Sequence, residues 1–195
     1  MHRISRGIYS LSSIDKTYYS GADISLLRPL LHLVKAQLPY LSICVWRTNW
    51  LNAFMQHQPG KFMTILEVEK DGIEAVFHLL RDEKLHVFMN PTEDILNHYV
   101  NHQNPKNPII LTRLISEAPV QVEDGVTIPT IEKILVDLLS DPVLYATFQG
   151  KELKRIYTSA FDRYQVNEAK LTRYASRRGK KTELINLLAN TKKRQ

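Results

Sequence analysis

The sequence predicts an α/β protein with a mixed sheet of four or five strands, flanking helices and a C-terminal bundle of about three helices. Through the middle of the chain, strand-like apolar segments alternate with amphipathic helical segments. The run Ile109–Leu111 is continuously apolar, which is typical of a strand covered on both faces. From Thr130 onward the apolar residues recur at helical spacing. The length of 195 residues permits one sizeable core and a small second unit.

The first segment of the chain predicts a short two-stranded ribbon. In "HRISRGIYSL" apolar and polar residues alternate on either side of Gly7. An isolated ribbon is marginal in water, so we expect it to need a partner surface. We assign residues 1–20 to this hairpin and its polar linker, 21–150 to the α/β body, and 151–195 to a basic helical subdomain packed on the body.

The body predicts alternating elements. Asp23 can cap a helix to about Gln37, and Pro29 either interrupts this helix or stands in its first turn. The segments that follow are a strand at 41–46, a short helix at 49–55, a strand at 61–69, a helix at 71–80, a strand at 84–90, a helix at 92–100 capped by Thr92, a strand at 108–114, and a hairpin at 119–128 turning at 123–125. Thr130 begins a helix with Ile131, Ile134, Leu135 and Leu138 facing inward.

Three amphipathic helices are predicted at the C-terminal end. The first buries Leu153, Ile156, Tyr157, Ala160, Phe161 and Tyr164; the second buries Leu171, Tyr174 and Ala175; the third buries Leu184, Ile185, Leu187 and Leu188. Asn167 is expected to cap the second helix, Gly179 to end it, and Thr182 to cap the third.

The positive charge is concentrated in these helices. Residues 151–195 carry 13 Lys/Arg against four Asp/Glu, whereas the preceding residues have a net charge of −3. A basic end on an acidic body predicts a surface for a polyanion, with nucleic acid the first candidate. Clustered cations position a phosphate backbone without reading bases. The predicted contacts are Lys151, Lys154, Arg155, Arg163, Lys170, Arg173, Arg177, Arg178, Lys180 and Lys181, with Arg3 and Arg6 in the ribbon. The alternative is a solvated helix face.

Candidate catalytic residues are few. Glu67 and Glu69 fall on one face of a predicted strand, with Lys70 next, which is similar to the Mg²⁺-binding strand of restriction-endonuclease-like nucleases. The spacing departs from that pattern because the lysine follows Glu69 directly. His98 and His102 have helical spacing but no carboxylate between them. We therefore predict no metal site, no cofactor and no enzymatic activity; a degenerate nuclease domain using Glu67 and Glu69 is the alternative.

The remaining signals favour core packing and a cytoplasmic protein. Cys44 lies in an apolar alternation and is expected to be buried. Trp46, Trp50 and the aromatics of 145–148 could stack bases, but core packing is the favoured interpretation. The longest apolar stretch, 26–41, is interrupted by charges and prolines, and the start of the chain has no apolar signal region. We expect neither a membrane span nor secretion.

Three stretches resemble AbiE-type antitoxins, the transcriptional regulators of type IV toxin–antitoxin and abortive-infection systems, in a poorly characterised branch. "HRISRGIYSL" is similar to the wing hairpin of a winged helix-turn-helix. "PTIEKILVDLLSDP" resembles a family helix, with Glu132, Lys133 and Asp137 at the matching positions. "FQGKELKRIYTSAFDRYQVNEAKLTRYASRRGKK" resembles the C-terminal helices. The resemblance implies a non-enzymatic antitoxin and regulator whose functional partner is a nucleotidyltransferase-like toxin.

The sequence departs from this family at its start. Family members usually carry about three helices before the wing, including the helix that reads DNA, whereas here Met1 stands at the wing. We therefore expect no sequence-specific operator binding by this chain alone. A protein-interaction module, in which the basic helices dock on an acidic partner, is a further alternative. Nothing in the sequence predicts an oligomeric state.

Overall fold

The computed structural model describes residues 2–5, 8–10, 24–55, 59–103 and 105–192, with side chains over 24–55, 59–103 and 105–189. It confirms the mixed α/β class. The strands are β1 (His2–Ser5), β2 (Ile8–Ser10), β3 (Ile43–Arg47), β4 (Thr64–Val68), β5 (Val87–Met89), β6 (Ile109–Arg113), β7 (Val120–Glu123) and β8 (Val126–Pro129). The helices are α1 (Arg28–Gln37), α2 (Ile73–Asp82), α3 (Glu93–Ile95), α4 (Ile131–Ser140), α5 (Lys151–Arg163), α6 (Glu168–Arg177) and α7 (Lys181–Lys192).

The central sheet has four strands in the order β3-β4-β6-β5. Strand β3 runs antiparallel to β4, with Cys44 opposite Glu67, and β4, β6 and β5 are parallel. Every residue of β4 is buried, so the prediction of a sheet covered on both faces is confirmed. The chain crosses from β4 to β5 through α2 and returns to β6 through α3.

Two antiparallel ribbons accompany this sheet. In the first, β1 pairs with β2 and His2 lies opposite Ser10, as predicted. Arg6, Gly7 and the linker at 12–21 lie outside the described residues. In the second, β7 pairs with β8 around Asp124 and Gly125, whose φ angles are 48° and 78°. Two successive positive φ angles define the tight turn that Asp-Gly favours, and the predicted hairpin is confirmed.

The helical segments differ from the predictions in local geometry. The predicted first helix is a 3₁₀ turn at Ile24–Leu26 followed by α1, with Pro29 in the first turn, where its missing N–H costs nothing. Asp23 lies outside the described residues, and Leu26 is 59% exposed. The helix predicted at 49–55 is a 3₁₀ helix, Thr48–Phe54.

Two further helices differ in extent. The helix capped by Thr92, whose Oγ1 accepts from the Ile95 amide, continues from α3 as a π-helix, Leu96–His102. The chain is not continuously helical after Thr130: α4 ends at Ser140, and a 3₁₀ turn, Ala146–Phe148, precedes α5.

Helix α4 lies at the centre of the packing. All of its residues from Ile131 to Leu138 are buried, which is the pattern of a helix surrounded by protein. Helices α5, α6 and α7 all contact α4. The Tyr157 hydroxyl on α5 donates to the Leu135 carbonyl on α4 at 2.8 Å. The sheet and the C-terminal helices thus share one continuous apolar core among the described residues.

The three C-terminal helices begin and end mostly where predicted. Asn167 Oδ1 accepts from the Lys170 amide at 2.9 Å, and Gly179 has a φ of 68°, which glycine adopts without strain. The prediction for Thr182 is wrong, because α7 begins at Lys181 and places Thr182 in its first turn. Ile185, predicted to be buried, is 51% exposed.

No helix within the described ranges combines the length and the apolar composition that a membrane crossing requires.

Replacing Leu135 with alanine should lower the free energy of unfolding by about 2–5 kcal/mol, because it leaves a cavity in the fully buried centre of α4. Urea denaturation followed by circular dichroism measures the loss. Ile185→Ala on α7 is the control and should change stability by less than about 1 kcal/mol, since that side chain is half exposed. Equal losses in the two variants would contradict the central position of α4.

Candidate functional site

A buried ion pair network joins α4 to the sheet. Lys133 has no solvent exposure, and its Nζ lies 2.5 Å from Asp137 Oδ2, one helical turn further along α4. The same Nζ donates to Glu67 Oε1 on β4 at 2.7 Å. A buried ammonium is tolerated only where charged partners replace its water. The three residues Glu67, Lys133 and Asp137 are called the ionic cluster.

Helix α6 completes the ionic cluster from the other side. The Tyr174 hydroxyl donates to Asp137 Oδ1 at 2.9 Å. Arg178 Nε, just past the end of α6, lies 3.5 Å from the same oxygen. Lys133 Nζ also lies 5.9 Å from the centre of the Tyr174 ring, within cation–π range. Two cations therefore face two carboxylates, and the contacts fix the rotation of α6 on α4.

The protonation states follow from burial and charge. Burial alone lowers the pKa of Lys133, but Asp137 and Glu67 outweigh it and raise the pKa well above its ordinary value, so the ammonium stays charged. Burial raises the pKa of Glu67, and the Lys133 charge opposes that rise. Burial also raises the pKa of the Cys44 thiol, which lies opposite Glu67 on β3. Cys44 is therefore a buried, protonated thiol, as predicted, and has no nucleophilic character.

Glu132 is a second buried carboxylate on α4, and it holds the start of α6. Its Oε2 accepts from Thr130 Oγ1 at 2.6 Å, and its Oε1 accepts from the Asn167 backbone amide at 2.9 Å. Glu132, Lys133 and Asp137, the positions that carry the family resemblance, are thus all buried and all bind groups outside α4. Each holds α4 to a neighbouring element.

The residues of the alternative nuclease site do not come together. Glu67 faces Lys133 in the core, whereas Glu69 lies past the end of β4, is exposed, and accepts from the Ser42 amide at 2.9 Å. Lys70 is exposed. Over the described ranges, no group of three or more histidine, cysteine or acidic side chains is arranged to hold a metal ion. The pattern resembling a nuclease strand is therefore not assembled into a site here.

The aromatic residues considered for base stacking are core residues. Trp46, Trp50, Tyr145 and Phe148 are all buried. Trp46 stacks on Tyr145 with ring centres 6.1 Å apart. The favoured interpretation of these residues as packing residues is confirmed.

Five of the ten basic contacts predicted in the C-terminal helices are engaged within the protein. Arg155 pairs with Glu152, Arg177 with Glu117, Arg178 with Asp137 and Lys180 with Glu183, and Arg163 donates to the Ala53 carbonyl. The other five, Lys151, Lys154, Lys170, Arg173 and Lys181, form no ion pair with any described residue. Arg3 lies on β1, with its side chain outside the description, and Arg6 lies wholly outside it.

One face of α6 is free of packing and carries cations. Ala169, Thr172, Arg173, Ser176 and Arg177 follow one another at helical spacing and line a shallow, open groove with Glu168 and Lys181. Here this surface is called the α6 groove. The opposite face of α6 buries Leu171, Tyr174 and Ala175 against the core. Small side chains between cations leave the helix surface open to close approach by another molecule.

The fold and these contacts define an α/β protein whose C-terminal helices are anchored to the sheet by buried charges. The model of a family of unknown function (DUF6577) matches residues 1–194, and the chain belongs to that family. No curated protein matches the chain, and no solved structure matches it either.

Replacing Lys133 with methionine should lower the free energy of unfolding at neutral pH by about 3–5 kcal/mol, because it leaves Glu67 and Asp137 buried without their cation. Urea denaturation measures the loss. Lys154→Met on the exposed side of α5 is the matched control and should change stability by less than about 0.5 kcal/mol.

The pH dependence tests the cause of this loss. Burial already raises the pKa of Glu67 above its ordinary 4.5, and removing Lys133 removes the charge that opposes the rise. The folded variant then binds a proton more tightly than the unfolded chain, so its stability should increase as pH falls from about 8 toward 5. Adding Glu67→Gln should weaken that dependence. A Lys133→Met penalty that is the same at both pH values would refute the ion pair explanation.

Proposed function

We propose that this chain is a non-enzymatic, cytoplasmic regulator of the AbiE-type antitoxin kind that contacts nucleic acid at the phosphate level through the α6 groove. The observation that carries the proposal is an open groove in which Arg173 and Arg177 of α6 and Lys181 at the start of α7 surround small and hydroxyl-bearing side chains. This cationic surface belongs to residues 151–195, whose net charge is +9, whereas residues 1–150 have a net charge of −3.

The chemistry of the α6 groove suits a phosphate backbone. Guanidinium and ammonium groups neutralise phosphates, and the hydroxyls of Thr172 and Ser176 can donate to phosphate oxygens. Ala169 adds no bulk, so a backbone can approach the helix closely. The exposed Arg177–Glu117 pair is no obstacle, because a solvent-exposed ion pair contributes about 1 kcal/mol or less and exchanges partners readily.

The antitoxin assignment rests on the resemblance to AbiE-type antitoxins and gains support from the buried carboxylates of α4. Glu132 and Asp137 hold the start and the end of α6. Helix α4, which carries the resemblance to the antitoxin family, therefore orients the α6 groove. The implied functional partner is a nucleotidyltransferase-like toxin, and the proposed contact is with nucleic acid that such a toxin uses. The expected binding is independent of base sequence.

Fluorescence anisotropy with a labelled random-sequence DNA duplex and with tRNA tests the contact. We expect micromolar or tighter binding at about 50 mM salt that weakens steeply by about 200 mM. Arg173→Glu combined with Lys181→Glu should reduce affinity and flatten the dependence of log K on log salt by roughly 0.7–0.9 per lost phosphate contact. Arg178 is left intact in this test because it contacts Asp137 in the core.

Lys70→Glu is the matched control, since Lys70 is exposed on the body and the substitution makes the same charge change. It should leave affinity nearly unchanged. Binding weaker than micromolar at low salt, or an equal loss in Lys70→Glu and in either groove substitution, would refute contact through the α6 groove.

Co-expression with a nucleotidyltransferase-like toxin encoded beside the gene tests the antitoxin role. Growth arrested by the toxin should recover when this chain is produced, and recovery should be lost with Arg173→Glu and Lys181→Glu but kept with Lys70→Glu. Immunoblotting confirms equal protein levels. Continued arrest in the presence of abundant, folded protein would rule out the role.

A further inference from the structure

A cleft of about 850 Å³ lies at the amino ends of β4 and β6, and its lining shares no residue with the α6 groove. Its walls come from the end of β3, the segment 59–63 before β4, the π-helix, the segment 105–108 before β6, and the segment 142–148 before α5. A cavity of this size, bounded by several segments, is typical of a site for a discrete small molecule.

The cleft is cationic although the body that contains it is acidic. Arg47, Lys61 and Lys106 line it, against the single carboxylate Glu93. Lys61 donates to the Asn101 carbonyl, which holds it beside the π-helix. Arg47 Nε is buried and has no hydrogen-bond acceptor among the described residues. A buried charged donor without an acceptor is costly, so an anion in the cleft would satisfy it.

Arg47 and Lys106 both line the cleft. Both also line an adjoining hollow of about 580 Å³ between α1 and the sheet, together with Asn107. A guanidinium and an ammonium therefore line the same two hollows. Several cations lining one cavity favour a phosphate or a similar multivalent anion.

The π-helix is a second, independent observation. Segments with i→i+5 hydrogen bonds are rare and are frequently found at functional sites. Four residues of this π-helix line the cleft: Leu96, Asn97, Val100 and Asn101. The wider turn brings two amide side chains and two apolar side chains to the same side.

The other walls are apolar and partly accessible. Phe62, Met63 and Leu144 are half buried, and Val143 is 42% exposed. A cleft lined by apolar side chains, a few amides and three cations matches a ligand with a flat apolar part and an anionic part.

We propose that this cleft binds a nucleotide. The phosphates would lie against Arg47 and Lys106, and the base would pack on Phe62 and Val143 with its polar edge toward the Asn97 and Asn101 amides. The cleft is separate from the α6 groove proposed for nucleic acid. The nucleotide proposal therefore does not depend on the antitoxin assignment.

Isothermal titration of the full chain with ADP, GDP, CDP and UDP tests the proposal, with pyrophosphate and the four nucleosides as partial ligands. We expect at least one nucleoside diphosphate to bind with a Kd below about 1 mM, roughly tenfold or more tighter than pyrophosphate or its nucleoside. Arg47→Gln and Lys106→Gln should each weaken that binding about tenfold. Lys106 is exposed, so its variant stays informative if Arg47→Gln fails to fold.

Arg173→Gln in the α6 groove is the control and should leave nucleotide affinity unchanged. Failure of all four nucleoside diphosphates to bind would overturn the proposal. So would pyrophosphate binding as tightly as the nucleotides, which would indicate a plain anion site. A loss in Arg173→Gln equal to that in Lys106→Gln would place the nucleotide on the basic helices instead.

Discussion

A single ammonium group in the middle of the core constrains the whole structure. Helix α4 is buried on every side, so Lys133 cannot reach water and must be neutralised by its neighbours. Asp137 supplies one carboxylate from the same helix, and Glu67 supplies the other from the centre of the sheet. Because an uncompensated buried charge costs several kcal/mol, the distance between α4 and β4 is set by this contact as well as by apolar packing.

The buried charges of α4 also fix the orientation of α6, whose outer face lies at the surface. Asp137 uses its second oxygen for Tyr174 and Arg178, and Glu132 accepts from the amide of Asn167. Helix α6 is therefore held at both ends by carboxylates of α4. The fixed rotation determines which face of α6 is buried and which cationic face is exposed. Residues in the core therefore determine which cations are exposed to solvent.

The sequence predicts the structural features that depend on residues adjacent in the chain. It misses those that depend on contacts between residues far apart in the chain. The Asn167 cap, the Gly179 stop and the Asp124-Gly125 turn are local chemistry, and each is confirmed. The pairing of Glu67 with Lys133 spans 66 residues and has no local signal. The π-helix leaves no periodic pattern that distinguishes it from an α-helix, and the cleft it lines depends on five separate segments.

The strand order also decides when the sheet can form. Strand β6 lies between β4 and β5, yet both of these precede it in the chain. During synthesis β4 and β5 therefore cannot reach their final positions until residue Arg113 has emerged, since the strand that separates them does not yet exist. Until α4 follows, Glu67 remains a solvated carboxylate on an unfinished sheet, so assembly of this fold waits for its C-terminal half.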